Sequence, residues 1–150
     1  MKKIYIAGPD VFRPDAVKAG QKAKEICEKY GFEGCYPFDN EANIPEEIFK
    51  GNLEMIKNCD IIAANINNFR GLEPDSGTCF EIGFAHALRK KIYLYTNDTR
   101  TMIEKIGKKD LNGWSVEDFG KSVNLMIAMS AVKIIKGNFE DCIKTISAET

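Results

Sequence analysis

The sequence predicts an α/β fold, a single doubly wound and mostly parallel sheet with helices on both faces. Three observations carry that expectation. Short apolar runs such as residues 61–66 lack the polar alternation of a half-exposed strand, as strands buried on both faces of a parallel sheet do. Between the runs lie stretches with apolar residues at the 3.6-residue spacing of helices. The two kinds of segment alternate, which calls for crossover connections and so for parallel pairing.

Residues 4–7 are closed by the turn signal Gly8-Pro9-Asp10 and read as a buried first strand that opens into a loop. Loops at such strand ends hold ligands in open α/β sheets. From Asp15 onward, Ala16, Ala19, Ala23, Ile26, Cys27 and Tyr30 keep the helical period until Gly31 stops it. Cys35-Tyr36 marks a brief second strand before Pro37. Pro45-Glu46-Glu47 suits a first helical turn, where proline lacks only a donor that would go unpaired and acids face the positive end of the helix dipole. Ile48, Phe49, Asn52, Met55 and Ile56 continue that helix. Residues 61–66 give the third strand and residues 91–95 the fourth, with a helix starting near Thr78 between them. Residues 123–135 are expected to be helical, and Asn138 to cap a last helix through Ile146. Residues 1–150 are expected to form one domain, a Rossmann/flavodoxin-like three-layer sandwich without repeats or linkers.

Twenty-one Lys and Arg against 22 Asp and Glu leave a formal charge of -1. Without long like-charge blocks, bulk electrostatics give no reason to expect a nucleic acid polymer or a membrane surface as partner. The five cysteines are scattered, odd in number and never spaced C-x-x-C, which argues against a disulfide framework or a zinc site. His86 is the one histidine, so His-based triads and multi-His metal sites are not expected, and neither a metal nor an organic cofactor is called for. Met1-Lys2-Lys3 leads into an apolar run too short for a signal segment, and no run is long enough to span a membrane. A cytoplasmic protein with reduced thiols is the expectation. G-x-G-x-x-G and G-x-x-x-x-G-K-[ST] are both absent, so nothing resembles a phosphate cradle.

The segment with the most chemistry is residues 73–88. Glu81 is the only acid between Thr78 and Leu88. A carboxylate in an apolar helix start is costly unless it is hydrogen-bonded or used, while the helix dipole helps to hold its charge. Such a group suits a carboxylate nucleophile. Thr78-x-x-Glu81 is equally a capping box, and spacing alone leaves both readings open. Asp75 has its own plain reading as a turn residue, and Gly77 and Gly83 as packing glycines. His86 lies five positions beyond Glu81, about 140° around a helix, and reads as structural. Placement favours chemistry. Asp10 follows the first strand, Asp39 and Asn40 the second, Asn67 and Asn68 the third, and Asp75 and Glu81 come next. All are expected on one side of the sheet, in a pocket rich in carboxylates and amides that suits a neutral hydroxylated or heterocyclic ligand. Two acids beside a sugar suggest glycosidic chemistry, one attacking the anomeric carbon and the other protonating the departing group.

Four ordered blocks carry a family resemblance. They are Lys3-Ile4-Tyr5-Ile6-Ala7-Gly8-Pro9-Asp10-Val11-Phe12, Asn58-Cys59-Asp60, Glu73-Pro74-Asp75-Ser76-Gly77-Thr78-x-x-Glu81-Ile82-Gly83, and Asn124-Leu125-Met126. Over most of its length the sequence resembles the nucleoside 2-deoxyribosyltransferases. The resemblance implies that Glu81 forms a 2-deoxyribosyl ester, that Asp75 handles the base and its proton, and that Tyr5 positions the nucleophile. It implies a homo-oligomer in which Asn124 reaches the sugar 5′-hydroxyl of a neighbouring subunit's site, with Met126 beside it. Gly8, Asp10, Phe12, Asp39, Asn52 and Gly77 complete the expected substrate-binding set. The implied partners are a 2′-deoxyribonucleoside and a free nucleobase, exchanged by a retaining double displacement in nucleoside salvage.

One departure stands out. Several relatives carry an aspartate eight residues before Asp60, where this chain has Asn52. An amide cannot supply a proton as a carboxylic acid does, which leaves base preference open and Asp75 as the better acid. Asp60 itself reads as structural, at the strand entrance. The nearest rival is a hydrolase of deoxynucleoside 5′-monophosphates, with Arg13 or Arg70 on the phosphate. Pro74-x-x-Gly77-Thr78-x-x-Glu81 also resembles the phosphoribohydrolases that release cytokinin bases, whose first-strand block this chain does not match. A non-catalytic nucleoside-binding module is the rival from another class. The loop of residues 108–120, with Trp114 and Phe119, would either close over the pocket or fill a subunit contact.

Overall fold

Strand β1 (Lys3–Ala7) lies next to the middle of the sheet because its residues are apolar on both sides, Ile4 and Ile6 facing one layer of helices and Tyr5 and Ala7 the other. The computed structural model describes all 150 residues. After β1 come helix α1 (Ala16–Lys29), strand β2 (Glu33–Cys35), helix α2 (Pro45–Asn58), strand β3 (Ile61–Asn65), helix α3 (Ser76–Ala87) and strand β4 (Lys91–Thr96). Two short helices, α4 (Met102–Ile106) and α5 (Leu125–Ala128), precede strand β5 (Lys133–Lys136) and helix α6 (Phe139–Glu149). The strands run in the order β2-β1-β3-β4-β5, and every neighbouring pair is parallel. This is the expected three-layer α/β sandwich.

The sheet has one apolar core on each face. On one side Ile4, Ile6, Ala63, Tyr93 and Tyr95 meet Cys27 of α1 and Cys142, Ile143 and Ile146 of α6. On the other, Tyr5, Ala7, Ile62, Ala64 and Leu94 meet Ile56 of α2 and Ile82 and Ala85 of α3. At the strand entrances, Asp60 accepts a hydrogen bond from the Lys3 amide at 2.9 Å, the structural role expected of it. No helix is long and apolar enough to cross a membrane.

Two local expectations change. Residues 123–135 do not form one helix. The helical turn α5 ends near Ser130, whose amide and hydroxyl both donate to the Ile127 carbonyl, and the chain then extends to pair Lys133–Lys136 with β4. The β-branched Val132, Ile134 and Ile135 favour that extended form, and the open edge of β4 supplies the pairing that a sequence window does not contain. The second strand lies at Glu33–Cys35, so Tyr36 falls just beyond it. The last helix is capped by Asn138 as expected, its side chain accepting from the Asp141 amide.

Candidate active site

Helix α3 begins at Ser76, with Asp75 as its N-cap. The Asp75 Oδ2 accepts from the Thr78 amide at 2.9 Å and from the Thr78 hydroxyl at 2.7 Å. Thr78 is thus the third helical residue rather than the cap, and the Thr78-x-x-Glu81 capping box does not form. Glu81 is freed from any backbone duty. Its Oε2 instead accepts a hydrogen bond from the Tyr5 hydroxyl.

Tyr5 is fully buried in the middle of β1. Burial first, and then the charge of Glu81, hold its phenol far above the usual range, so it acts only as a donor. Glu81 feels three influences. Burial pushes its carboxyl up to about 7, the neighbouring Asp75 charge adds to the rise, and the Tyr5 hydrogen bond opposes it. A poorly hydrated carboxylate that ionises near neutrality is suited to covalent attack.

Glu81 and Asp75 lie at the wall of a cavity of about 630 Å³ between the ends of β1 and β2 and the start of α2 and α3, a volume in the range of small-molecule sites. Gly8, Phe12, Asn52 and Gly77 from the expected set line it too. The Gly8 backbone has φ 154°, and a Cβ there would sit 2.8 Å from the Asn65 Cβ and from the Asp10 Oδ2, so a side chain at this turn has no room. Within the cavity Asn40 donates through its amide to the Ile48 carbonyl at 3.1 Å and to Asn52 Oδ1 at 3.4 Å.

The cavity is not rich in carboxylates as expected. Its walls are mostly apolar, including Phe38, Ile48, Leu53 and the pair Phe49 and Phe80, whose ring centres are 5.8 Å apart. Phe49 and Phe80 are 52% and 53% exposed, so they face the cavity and not the core. Sequence periodicity puts Ile48 and Phe49 within a helix and cannot separate a cavity-facing aromatic from a buried one.

Several expected groups lie elsewhere. Asp10 is on the opposite face of the sheet, accepting from the Asn65 amide at 3.1 Å. Asp39 pairs with Lys24 and accepts from the Tyr36 amide. Asn67 accepts from the Thr96 hydroxyl and the Asn97 amide, and Asn68 donates to Asp98. The strand-end rule brings side chains to one end of a sheet but divides them between its two faces, which accounts for the split. Arg13 is held by Asp15, and Arg70 lies over the rings of Phe12 and Phe69, so neither lines the Glu81 cavity.

Asn124 and Met126 are exposed and outside the cavity within the chain. Asn124 caps α5, accepting from the Met126 amide at 2.8 Å and donating to Glu117 at 3.3 Å. His86 is exposed in the last turn of α3. Trp114 and Phe119 are exposed in a loop pinned by pairing between Lys109 and Ser115.

Comparison with known proteins gives the family and the fold. A family model described as nucleoside 2-deoxyribosyltransferase matches residues 4–126. A 2-desoxiribosyltransferase from Leishmania mexicana superposes with a TM-score of 0.90 at 38% identity, over 99% of this chain and 98% of that one. A 2-deoxyribosyltransferase from Bacillus psychrosaccharolyticus (TM-score 0.64, 24% identity, 93% and 88% of the two chains) shares the fold. So does a CMP N-glycosidase from Clostridium botulinum (TM-score 0.57, 19% identity, 99% and 100%). An uncharacterized Schizosaccharomyces pombe protein is 30% identical over 121 residues, 74% of this chain, which spans 57% of that relative's length.

Proposed function

The chain belongs to the nucleoside 2-deoxyribosyltransferase family, and from that premise we propose that it moves 2-deoxyribose between nucleobases of 2′-deoxyribonucleosides, a step of nucleoside salvage. The observation that carries the reading is the buried Tyr5–Glu81 pair at the wall of an aromatic cavity that also holds Asp75. In the first half-reaction a Glu81 carboxylate oxygen attacks C1′. The glycosidic bond breaks with its electron pair going to the base nitrogen, and Asp75 handles the proton that the leaving base gains. Its Oδ1 makes no hydrogen bond within the chain and is free for that task, while Oδ2 caps the helix. In the second half-reaction an acceptor base nitrogen attacks C1′ as Asp75 takes up the N–H proton that the base loses, the ester bond breaks, and Glu81 is regenerated as a carboxylate. Two inversions restore the starting configuration, as in retaining glycosidases.

Tyr5 holds the attacking oxygen without giving up its own proton. Phe49 and Phe80 offer ring faces to a heterocycle, and Asn52, held at its Oδ1 by Asn40, offers its amide N–H groups to the edge. In this reading Asn124 completes the site from a neighbouring subunit, and the exposed Leu125, Met126 and Met129 around it give α5 an apolar face for such a contact.

Transfer between neutral nucleosides is favoured over hydrolysis of nucleoside monophosphates because no lysine or arginine lines the Glu81 cavity. The test is mass spectrometry of the protein mixed with deoxyinosine and no acceptor. A deoxyribose adduct is expected in the native protein and absent in Glu81→Ala. Turnover of a deoxynucleoside 5′-monophosphate in preference to the nucleoside, with no transfer product when adenine is added, would overturn the reading.

A further inference from the structure

On the face of the sheet opposite Glu81 lies a second cavity, of about 600 Å³, between α1, the ends of β1, β3 and β4, and the start of α6. A doubly wound sheet carries helices on both faces of its strand ends, where ligands of such folds bind, and the Glu81 site uses only one of those faces. Two features of the other face call for an occupant.

The first is Tyr36. Cys35 is in register with Tyr5 and shares its face of the sheet, so Tyr36, the next residue, turns to the other side, where its ring lines this cavity. The side chain is 4% exposed, and its hydroxyl has no hydrogen-bond partner in the chain. Buried polar groups are almost always paired, and this is the only buried side-chain polar atom left without a partner. Helix α1 leaves room for the tyrosine ring at a glycine. A Cβ at Gly20 of α1 would lie 2.5 Å from two of the Tyr36 ring carbons. Burial, helped by the nearby Asp10 carboxylate, pushes the phenol up to about 12, so it remains a donor.

The second is a pair of free cations. Lys18 and Lys22 stand one helical turn apart on the cavity side of α1. Neither takes part in any ion pair of the chain, and the nearby Asp15 carboxylate, whose charge Lys18 feels, is itself bound by Arg13. Like charges at this spacing repel each other, so the arrangement has a cost that a bound anion would remove. The other charges at the rim are already engaged. Arg13 donates to both oxygens of Asp15, at 2.8 and 3.0 Å, and Glu140 accepts from Lys29 and Tyr30. Asp10, with only the Asn65 amide donating to it at 3.1 Å, retains lone pairs for hydroxyl groups and repels phosphate from its own end.

We propose that this cavity is a second ligand site, specific for a phosphate monoester of a hydroxylated skeleton, a sugar phosphate or a nucleotide. The phosphate sits between Lys18 and Lys22, and the skeleton reaches Tyr36 and Asp10. The Glu81 cavity, lacking any cation, does not compete for the same ligand.

Isothermal titration of the full chain with ribose 5-phosphate, adenosine 5′-monophosphate and inorganic phosphate tests this. One of the two esters is expected to bind once per chain and about tenfold or more tighter than inorganic phosphate, and the tighter one identifies the skeleton. The double variant Lys18→Glu with Lys22→Glu should weaken that binding at least about tenfold and leave deoxyribosyl transfer unchanged. Tyr36→Phe should also weaken it, without lowering the melting temperature of the unliganded protein. Phe49→Ala, in the other cavity, should bind as the native protein does. No binding of either ester at millimolar concentration, equal binding by the lysine variant, or loss of binding only in Phe49→Ala would overturn the proposal.

Discussion

Tyr5 and Glu81 are 76 residues apart in the chain, and the phenol of one donates directly to the carboxylate of the other. One belongs to a buried strand and the other to the second turn of a helix packed on that strand's face. Tyr5 is anchored in the core, so the Glu81 oxygen that the proposed reaction uses is held in place before any ligand arrives.

Because burial raises the Glu81 carboxyl from an ordinary 4.5 to about 7, the folded chain binds more protons than the unfolded chain between those pH values. Stability therefore falls as pH rises through this window, by on the order of 3 kcal/mol. Glu81→Gln keeps an acceptor for Tyr5 and carries no charge. Urea unfolding should find the variant more stable than the native protein at pH 8 and nearly equal to it at pH 4, while transfer activity is lost. A variant no more stable at pH 8 would contradict the burial argument.

Tyr5→Phe removes the hydrogen bond that draws the Glu81 carboxyl down. The acid limb of the kcat/KM profile should move to higher pH. A hydrogen bond to a charged group contributes about 1.5–3 kcal/mol, so activity at neutral pH should drop about tenfold to a hundredfold. Unchanged pH dependence would show that Tyr5 only packs.

Asp75 caps α3 and, in the proposed reaction, handles the proton of the base, two tasks that substitution can separate. Asp75→Asn retains a side-chain oxygen to cap α3, so its melting temperature should stay close to the native value, whereas Asp75→Ala should lose about 1 kcal/mol. Both should lose about a hundredfold or more in transfer, since neither carries a carboxyl group to handle the proton of the base. A fully active Asp75→Asn would reduce Asp75 to a cap.

If Asn124 serves a neighbouring subunit, two inactive proteins can repair each other. Glu81→Ala and Asn124→Ala, unfolded together and refolded as a mixture, should regain a measurable share of native activity that neither has alone. Activity that stays at the sum of the separate variants would place Asn124 outside the site.

Much of this molecule was legible in its sequence because strand burial and helix period leave direct traces. The apolar run at residues 61–66 and the stops at Gly31 and Pro37 led to the fold class and to the first four strands. Glu81 was conspicuous as a lone acid in an apolar helix start. What the sequence hid depends on partners distant along the chain. The capping box failed because Asp75 reached Thr78 first, β5 appeared because β4 had an open edge, and Asp10 and Asp39 parted from Glu81 because a sheet has two faces. The aromatic lining of Phe49 and Phe80 was hidden for a different reason: a phenylalanine leaves the same mark on a sequence in a core and in a cavity.

The short 3₁₀ turn Pro9–Phe12 is a party wall. Phe12 borders the Glu81 cavity and Asp10 the Tyr36 cavity, while Gly8 packs closely against Asn65 at the start of the turn. An occupant that tilts this wall from either room alters the other. Thermodynamic reciprocity then requires each guest to change its neighbour's affinity by one and the same factor.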